Sequence, residues 1–236
     1  MASRCVAVIT GGSRGIGRAI AEQFARIGFD LILSARHQEP LHHTAQQISQ
    51  QYGVQVYSFA SDLSQRQQIE QLSQFVKKTT DKIDVLVNNA GIFLPGQIHN
   101  EAEGVLETLM ATNVYSAYHL TRALLPMMME KQEGHIFNIC STASIMAYTN
   151  GGSYCISKYA LLGMTRVLRQ EMKPYNIRVT AVLPGATLTD SWAGTNLPPS
   201  RFMPAEDIGK AVVGAWQLSR YTVVEELLLR PPLGDI

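Results

Sequence analysis

The chain contains few cysteines, and their pattern argues against two common uses of that residue. Cys5, Cys140 and Cys155 are the only three among 236 residues, and no two of them form a CxxC pair. The odd number argues against the disulfide framework of a secreted protein and favours a reducing compartment. The six histidines are scattered without the spacing of metal ligands, so no metal site is expected.

The chain also lacks an excess of charge and a long apolar run. Lysine and arginine number 20 against 19 acidic residues, a net charge of +1, which provides no field to attract nucleic acid or anionic lipid. The longest apolar stretches are far shorter than a membrane span, and the run at 6–9 is too short for a signal peptide. We therefore expect a cytoplasmic protein with no nucleic acid and no membrane as partners.

Short apolar runs alternate with helical patterns along the whole chain. Most of the runs are apolar at nearly every position, which is typical of parallel strands covered on both faces. The alternation predicts an α/β fold with a Rossmann-type, doubly wound, seven-stranded parallel sheet in a single domain spanning 1–236. The predicted strands are 5–10, 30–35, 54–60, 83–89, 135–141, 177–183 and 223–230.

Helical patterns fill the spaces between these runs, and one stretch follows neither pattern. Ile16, Ile20 and Phe24 begin the apolar stripe of the first helix, and Gly28 lies where that helix should end. The stretch 186–204 is irregular and long, which makes it a candidate substrate loop; a disordered insertion is the alternative. Further helices are predicted over 41–51, 65–79, 101–131, 152–172 and 205–219.

A glycine cluster, TGGSRGIG at 10–17, follows the first predicted strand. Gly11, Gly15 and Gly17 carry no Cβ, which permits a tight turn, a close approach of a pyrophosphate and close packing of helix on sheet. The N-terminus of the next helix offers N–H donors and the positive end of a dipole. This context predicts a dinucleotide phosphate site, although a tight turn alone would also use glycine.

The end of the second strand, Leu33-Ser34-Ala35-Arg36, indicates which dinucleotide is bound. An acidic residue there would accept hydrogen bonds from a ribose 2′-OH and would repel a 2′-phosphate. No acid is present, and Arg36 and Arg14 could together bind a 2′-phosphate, with Ser34 adding a hydroxyl. The pattern therefore favours NADP(H); the alternative is that both arginines are solvated surface charges.

Tyr154 and Lys158 form a YxxxK pair, and this spacing puts both side chains on one face of a helix. Tyrosine is a poor acid near neutrality, and a neighbouring cation makes its phenolate easier to form. Ser141 lies at the end of the fifth predicted strand and would place a hydroxyl at the same sheet edge. The alternatives are a half-buried aromatic for Tyr154, a surface charge for Lys158 and a strand-end cap for Ser141.

These motifs together resemble those of the short-chain dehydrogenase/reductase family. The matching segments are TGGSRGIG at 10–17, NNAG at 88–91, the Ser-to-Tyr segment at 138–163 and PG at 184–185, in the family's order. The resemblance implies a Rossmann-type fold and transfer of a hydride between NADP(H) and a small-molecule carbonyl. The catalytic residues that it implies are Asn113, Ser141, Tyr154 and Lys158.

The resemblance also implies a cofactor site. Asp62 corresponds to the residue that contacts the adenine in the family, although a turn or helix-capping role is the alternative for it. NNAG could likewise be a plain turn. The residues expected to bind the cofactor are Gly11, Ser13, Arg14, Gly15, Ile16, Gly17, Arg36, Asp62, Leu63, Asn89, Ala90, Gly91, Tyr154, Lys158, Pro184, Gly185 and Thr187.

Each implied catalytic residue has a role in the expected reaction. Ser141 would hold the carbonyl oxygen on which negative charge develops, and Tyr154 would exchange the proton. Lys158 would assist Tyr154 and bind the nicotinamide ribose, while Asn113 would hold a water that connects Lys158 to solvent. Cys140 should point to the opposite side from Ser141, because adjacent side chains on a strand alternate, and should be packed and inert.

The substrate is indicated only by resemblance. Trp192 and Tyr148 are candidate surfaces for a flat ring, and packing within the loop is the alternative for both. The segment 203–236 resembles sepiapterin-reductase-like members of the family and also 3-oxoacyl-carrier-protein reductases. The expected substrate carries its carbonyl on a pterin or diketone side chain. The alternatives are a 3-oxoacyl-carrier-protein reductase, another alcohol dehydrogenase, and a non-catalytic NADP-binding regulatory module.

Apolar residues on the helix 152–172 bear on assembly. Ala160, Leu161, Met164 and Leu168 are additional to the catalytic face and suggest contact with another subunit. Because this helix forms a subunit interface in the resembled family, we expect a homodimer or a homotetramer. The alternative is burial under the chain's own last strand.

Overall fold

Seven parallel strands form the central sheet of the computed structural model, which describes residues 4–192 and 194–236. Its strands are β1 (Val6–Thr10), β2 (Asp30–Ala35), β3 (Val56–Ala60), β4 (Val85–Asn88), β5 (Gly134–Ile139), β6 (Ile177–Pro184) and β9 (Glu226–Leu229), while β7 (Thr187–Leu188) and β8 (Met203–Pro204) form a separate pair. The sheet order is β3-β2-β1-β4-β5-β6-β9, so the winding direction reverses between β1 and β4. The predicted doubly wound fold is confirmed.

Helices cover both faces of this sheet. None of those in the described ranges combines the length and apolar character needed to cross a membrane. The helices are α1 (Gly15–Arg26), α2 (Gln38–Tyr52), α3 (Arg66–Thr79), α4 (Val105–Met110), α5 (Ser116–Lys131), α6 (Gly152–Met172) and α7 (Ala205–Gln217).

The alternation of side chains along β1 explains why both faces are apolar. Ala7 and Ile9 belong to one core cluster, with residues of α1, α2 and α7. Val6 and Val8 belong to a second cluster, with residues of α3, α5 and the end of α6. Because successive side chains point to opposite faces, a strand buried on both sides is apolar at nearly every position. Parallel pairing of β1 with β4 places the carboxyl ends of these two strands side by side.

The helix predicted over 101–131 is interrupted. Gly104 has φ +85°, a left-handed conformation that glycine adopts easily, and α4 begins only after it. A π turn at Ala111–Tyr115 separates α4 from α5. Such a turn adds a residue to the helix and often occurs at functional sites. It contains Asn113, one of the predicted catalytic residues.

The irregular stretch 186–204, called the substrate segment below, has local order that the sequence did not predict. Its two ends pair as β7 and β8, in parallel. Short 3₁₀ turns occur at Asp190–Trp192 and Pro199–Arg201. Residue 193 lies outside the described part of this segment. The segment follows β6 directly and therefore starts at the carboxyl edge of the sheet.

The residues predicted to form an assembly surface are buried or only partly exposed on α6. Leu161 is buried, and Ala160 and Met164 pack against the cluster that also holds Ala181 and Leu183 of β6. Leu168 packs against a second part of the core. The apolar side of α6 on which they lie covers the sheet, and only Leu161 is fully buried, so contact of the other three with another subunit stays a prediction. The exposed apolar residues of α6 are Ile156, Tyr159 and Val167.

Candidate active site

The glycine loop is closed by contacts that leave no room for side chains. Gly11 has φ +66°, and a Cβ on it would lie 2.6 Å from Nδ2 of Asn89. A Cβ on Gly17 would overlap the carbonyl oxygen of Gly11 and lie 2.8 Å from its carbonyl carbon. Asn89 fastens the loop, since its Nδ2 donates to the carbonyl oxygen of Thr10 at 2.9 Å. The loop therefore packs tightly against the end of β4.

Helix α1 presents its N-terminus at this loop. No side chain caps it, so the first-turn N–H groups remain for an anion. The carbonyl of Ser13 is held by Oγ1 of the buried Thr44, at 2.9 Å. Ile16 is partly buried, with its side chain against the core, and its backbone N–H lies in the first turn of α1. The cradle lies where the sheet order reverses, the usual place for a dinucleotide pyrophosphate.

The two predicted phosphate-binding arginines are both exposed. Arg14 pairs with Asp190 of the substrate segment, with 2.7 Å between Nη1 and Oδ2. Arg36 makes no hydrogen bond or ion pair within the described residues, so its guanidinium is available to a ligand. Ser34, in contrast, is buried and shares a 2.7 Å hydrogen bond with Ser61. The expectation that Ser34 adds a hydroxyl to a 2′-phosphate was wrong, because its side chain points into the protein.

The turn after β3 contains Asp62 and Leu63. Oδ1 of Asp62 accepts hydrogen bonds from the backbone N–H and the hydroxyl of Ser64, at 3.0 and 2.8 Å. Asp62 therefore has the turn role that was its alternative, in addition to any contact with an adenine. Leu63 is buried in the core, so only its backbone could meet a cofactor.

The NNAG turn connects the glycine loop to the predicted catalytic residues. Oγ1 of Thr10 accepts from the backbone N–H groups of Asn89 and Ala90, at 2.9 and 3.0 Å. A Cβ on Gly91 would lie 3.2 Å from Oδ1 of Asn113 and 3.7 Å from Nζ of Lys158. The turn thus lies against both β1 and two of the predicted catalytic residues, Asn113 and Lys158.

Tyr154 and Lys158 lie on the same side of α6. Lys158 is only 6% exposed, and its Nζ lies 5.8 Å from the centre of the Tyr154 ring. The ammonium donates a 2.9 Å hydrogen bond to the carbonyl oxygen of Ile139, at the end of β5. This burial differs from the surface-charge alternative. Phe93, which the sequence reasoning missed, packs its ring against Tyr154 edge to face, with centres 4.8 Å apart.

Asn113 uses its side-chain amide to join three segments. Its Oδ1 accepts from the backbone N–H of Ile92 at 2.8 Å, and its Nδ2 donates to the Ile92 carbonyl and to Oγ of Ser157, both at 3.0 Å. Ser157 donates in turn to the carbonyl of Tyr154 at 2.7 Å. Ser157 was also missed, although its place inside the YxxxK pair was a usable signal. The π turn is therefore held against α6, which carries Tyr154 and Lys158.

Ser141 follows β5 and begins a short 3₁₀ turn. Its Oγ accepts from the backbone N–H of Ala143 at 3.1 Å, which is the capping role given as its alternative. A hydroxyl that accepts in this way keeps its own hydrogen for donation, so both roles are compatible. Cys140 beside it is buried, and this burial raises the pKa of its thiol to about 11, in keeping with an unreactive residue.

The PG motif lies at the same edge of the sheet. Pro184 ends β6, and the N–H of Gly185 donates to the carbonyl of Leu229 at 2.8 Å. Thr187 is buried, and its hydroxyl donates to the carbonyl of Gly185 at 3.0 Å. These bonds place the start of the substrate segment beside the last strand.

The two candidate substrate residues lie in different surroundings. The Trp192 ring packs against Phe202 of the same segment, with centres 5.0 Å apart, as the loop-packing alternative expects. Tyr148 lines an open groove of about 730 Å³ that also includes Ile98, Ile156 and Tyr159. Burial, with the charge of a nearby Tyr154 phenolate as a smaller cause, raises the pKa of Tyr148 well above its ordinary value. Its phenol therefore stays neutral.

Known proteins share this architecture over its full length. A family profile described as short chain dehydrogenase matches residues 5–198. A sepiapterin reductase from Chlorobaculum tepidum is 35% identical over 240 aligned residues, covering 98% of each chain.

Two solved structures add to the comparison. The alcohol dehydrogenase of the archaeon Thermococcus sibiricus, complexed with 5-hydroxy-NADP, has a TM-score of 0.93 at 29% identity and covers 99% of both chains. The L-sorbose reductase of Gluconobacter frateurii, complexed with NADPH and L-sorbose, has a TM-score of 0.89 at 29% identity, covering 97% of this chain and 96% of its own. The sequence motifs, the fold and these similarities agree, and the chain belongs to the short-chain dehydrogenase/reductase family of oxidoreductases.

Proposed function

We propose that this oxidoreductase is an NADPH-dependent carbonyl reductase with Tyr154 as proton donor. The observation that carries the proposal is the buried ammonium of Lys158, one helical turn from Tyr154 and 5.8 Å from its ring. Burying a charge is costly unless it is used or compensated. One carbonyl, that of Ile139, is its protein partner at 2.9 Å, which leaves two ammonium hydrogens for other acceptors.

The residues of the chain divide the work of carbonyl reduction. NADPH, when bound, supplies the hydride. Ser141 donates its hydroxyl hydrogen to the substrate oxygen and stabilises the charge that develops there. Tyr154 gives that oxygen a proton, and Lys158 favours the tyrosinate that remains. The phenol is then reprotonated from solvent.

The reprotonation route starts at Lys158, and Asn113 is proposed to hold its water. The side-chain amide of Asn113 is already bonded to Ile92 and Ser157. A water at this residue would therefore be held by the Asn113 backbone carbonyl. The π turn at Ala111–Tyr115 changes the regular helical pairing of backbone groups there, which is consistent with such a role.

NADP(H) is the proposed cofactor, in agreement with the NADP complexes of the Thermococcus and Gluconobacter proteins. The support within this chain is the exposed guanidinium of Arg36, which pairs with none of the described residues, and the absence of an acid at the end of β2. Removing a charge-assisted bond to a 2′-phosphate should weaken NADPH binding about ten-fold or more. We expect that loss in Arg36→Ala, with NADH binding unchanged. Arg26→Ala, at the exposed end of α1, is the matched control.

The proposed substrate carries its carbonyl on a pterin or diketone side chain. The support is the 35% identity to the Chlorobaculum protein, which is a sepiapterin reductase. Tyr148 offers an aromatic surface beside the N-terminus of α6, and Trp192 offers one in the substrate segment. A second subunit is also proposed, as a homodimer or homotetramer.

A carbonyl panel tests the activity. NADPH oxidation is measured with sepiapterin, simple diketones, L-sorbose and an acetoacetyl thioester. We expect sepiapterin or a diketone to be the best substrate, and the thioester as best substrate would indicate a 3-oxoacyl reductase. Tyr154→Phe should lower turnover at least about 100-fold, while Tyr57→Phe, on the exposed edge strand β3, should not. Tight NADPH binding without any reduction would indicate a regulatory module and contradict the proposal.

A further inference from the structure

We infer that Glu101 is a positioning residue for Tyr154. This inference rests on the proposed function, because it concerns the proton donor of that reaction. Glu101 lies in the segment between β4 and α4, 52 residues before its partner Ser153. Ser153 immediately precedes Tyr154 in the first turn of α6.

The Glu101 carboxylate binds Ser153 with both oxygens. Oε1 accepts the backbone N–H of Ser153 at 2.9 Å, and Oε2 accepts its hydroxyl in a short hydrogen bond. Ser153 is 3% exposed, and bonds to an ionised acceptor are stronger than neutral ones. No residue of the helix's own start caps α6 through its side chain. Glu101 therefore acts as the N-terminal cap from a distant segment, with its charge at the favourable end of the helix dipole.

Two glycines make room for this carboxylate. A Cβ on Gly96 would lie 2.8 Å from Oε1 of Glu101, and a Cβ on Gly152 would overlap the same oxygen. Neither glycine has a positive φ, so it is the space and not the backbone conformation that requires glycine. Gly96 also bridges to Gly151, through a 3.0 Å bond from its N–H to the carbonyl of Asn150. The segment around Gly96 is thus held directly against the start of α6.

Tyr154 is held from two directions, by Glu101 and by Phe93, which are together called the clamp below. Glu101 fixes the backbone one residue before it, and Phe93, from the same segment, packs against its ring with centres 4.8 Å apart. Lys158 is held independently, by the carbonyl of Ile139. Loss of Glu101 should therefore displace the phenol while leaving the ammonium and the cofactor site in place. A displacement of this kind lowers the rate of proton transfer more than it lowers binding.

The test compares Glu101→Ala and Glu101→Gln with Glu103→Ala, an exposed carboxylate two residues away. Glutamine can still accept the Ser153 N–H and can donate to its hydroxyl, so it should restore positioning. We expect kcat to fall about ten-fold in Glu101→Ala, with the Kd for NADPH changed by less than about two-fold. In Glu101→Gln, kcat should stay within about three-fold of the parent. An unchanged kcat in Glu101→Ala, or a loss of NADPH binding in step with kcat, would overturn the inference.

A second measurement is independent of turnover. Amide hydrogen exchange should become faster in the peptide that carries the first turn of α6 in Glu101→Ala, and should be unchanged in Glu103→Ala. Equal rates of exchange in the parent and Glu101→Ala would contradict the positioning role of Glu101, even if kcat falls. If the parent reduces no carbonyl of the panel, the proposed function fails. Faster exchange would then still establish the clamp, so the two failures are distinguishable.

Discussion

Arg14 in the glycine loop forms an ion pair with Asp190 in the substrate segment, with 2.7 Å between Nη1 and Oδ2. The two segments also meet at Gly15, where a Cβ would lie 3.3 Å from Cγ2 of Thr189. The substrate segment therefore rests on the loop proposed to bind the cofactor phosphates. The Asp190 carboxylate and the proposed 2′-phosphate would therefore compete for the guanidinium of Arg14.

Replacing Asp190 should strengthen NADPH binding. In Asp190→Asn the guanidinium of Arg14 has no ion pair to break before it binds the phosphate, so less of the binding free energy is lost. Both side chains are about two-thirds exposed, and exposed ion pairs contribute about 1 kcal/mol or less. The Kd for NADPH should therefore fall by no more than about five-fold, as measured by fluorescence titration.

Two comparisons separate this effect from a change in loop structure. The Kd for NADH, which has no 2′-phosphate, should stay the same in Asp190→Asn. In an Arg14→Ala background the Asp190→Asn change should have no effect on NADPH binding. Weaker binding of NADPH, or an equal gain for NADH, would show that Asp190 does not compete for Arg14.

Gly17→Ala should abolish cofactor binding and destabilise the fold. The added Cβ would overlap the carbonyl oxygen of Gly11, which is backbone and cannot rotate away. We expect a loss of at least about 2 kcal/mol in the free energy of unfolding, measured with urea. Gly214→Ala, in α7 with open space around it, should instead gain about 0.5–1 kcal/mol. Similar stabilities for the two variants would contradict this account of the loop.

The sheet was predictable because its signal is local. The inner strands are buried on both faces and apolar at most positions, and all seven predicted strands overlap observed ones. The two-residue strands β7 and β8 were missed because so short a pair has no periodicity to detect. The π turn at Ala111–Tyr115 was missed for a related reason, since one added residue barely changes the helical apolar pattern.

The site was predictable only where its motifs are contiguous. Tyr154, Lys158 and the glycine loop carry their spacing in the sequence. Glu101 contacts a residue 52 positions away, and Asp190 contacts one 176 positions away. Tertiary packing creates such pairs, and an isolated exposed-looking acid gives no sign of them. Ser34 illustrates a false prediction of a contact. Its place at the end of a strand did not show which way its hydroxyl points.

Stability should fall at alkaline pH partly because of Cys140. Burial raises its pKa from 9.0 to about 11. As pH rises past 9 the unfolded chain releases this proton, while the folded protein keeps it until about pH 11. The contribution of the neutral thiol is therefore fully present below pH 9 and lost between these values, at most about 3 kcal/mol.

The Cys140→Ala variant tests this sign. It should be less stable than the parent near neutral pH, because packing is lost. Its free energy of unfolding should fall less steeply between pH 9 and 11, since one proton fewer is linked to folding. Urea titrations at several pH values measure the two slopes. Parallel curves for parent and variant would mean that Cys140 does not titrate differently in the two states.

The proposed assembly should depend on the exposed side of α6. Ile156, Tyr159 and Val167 are 41%, 46% and 59% exposed, and Tyr115 at the end of the π turn and Tyr118 in α5 are 50% and 42% exposed. So many large apolar side chains on adjoining helices are typical of a surface that another subunit covers. Since this face is the more exposed one, a charge placed on it should separate the subunits.

We expect Val167→Asp to shift the protein to a smaller species in light scattering coupled to size-exclusion chromatography. An unpaired carboxylate buried in an apolar interface costs at least about 2 kcal/mol, which weakens association about 30-fold or more. Tyr57→Asp, which charges a similarly exposed side chain on the edge strand β3, is the matched control and should keep the parent's mass. A monomeric parent, or an unchanged mass in Val167→Asp, would contradict an interface at α6, because either result leaves this apolar face without a partner.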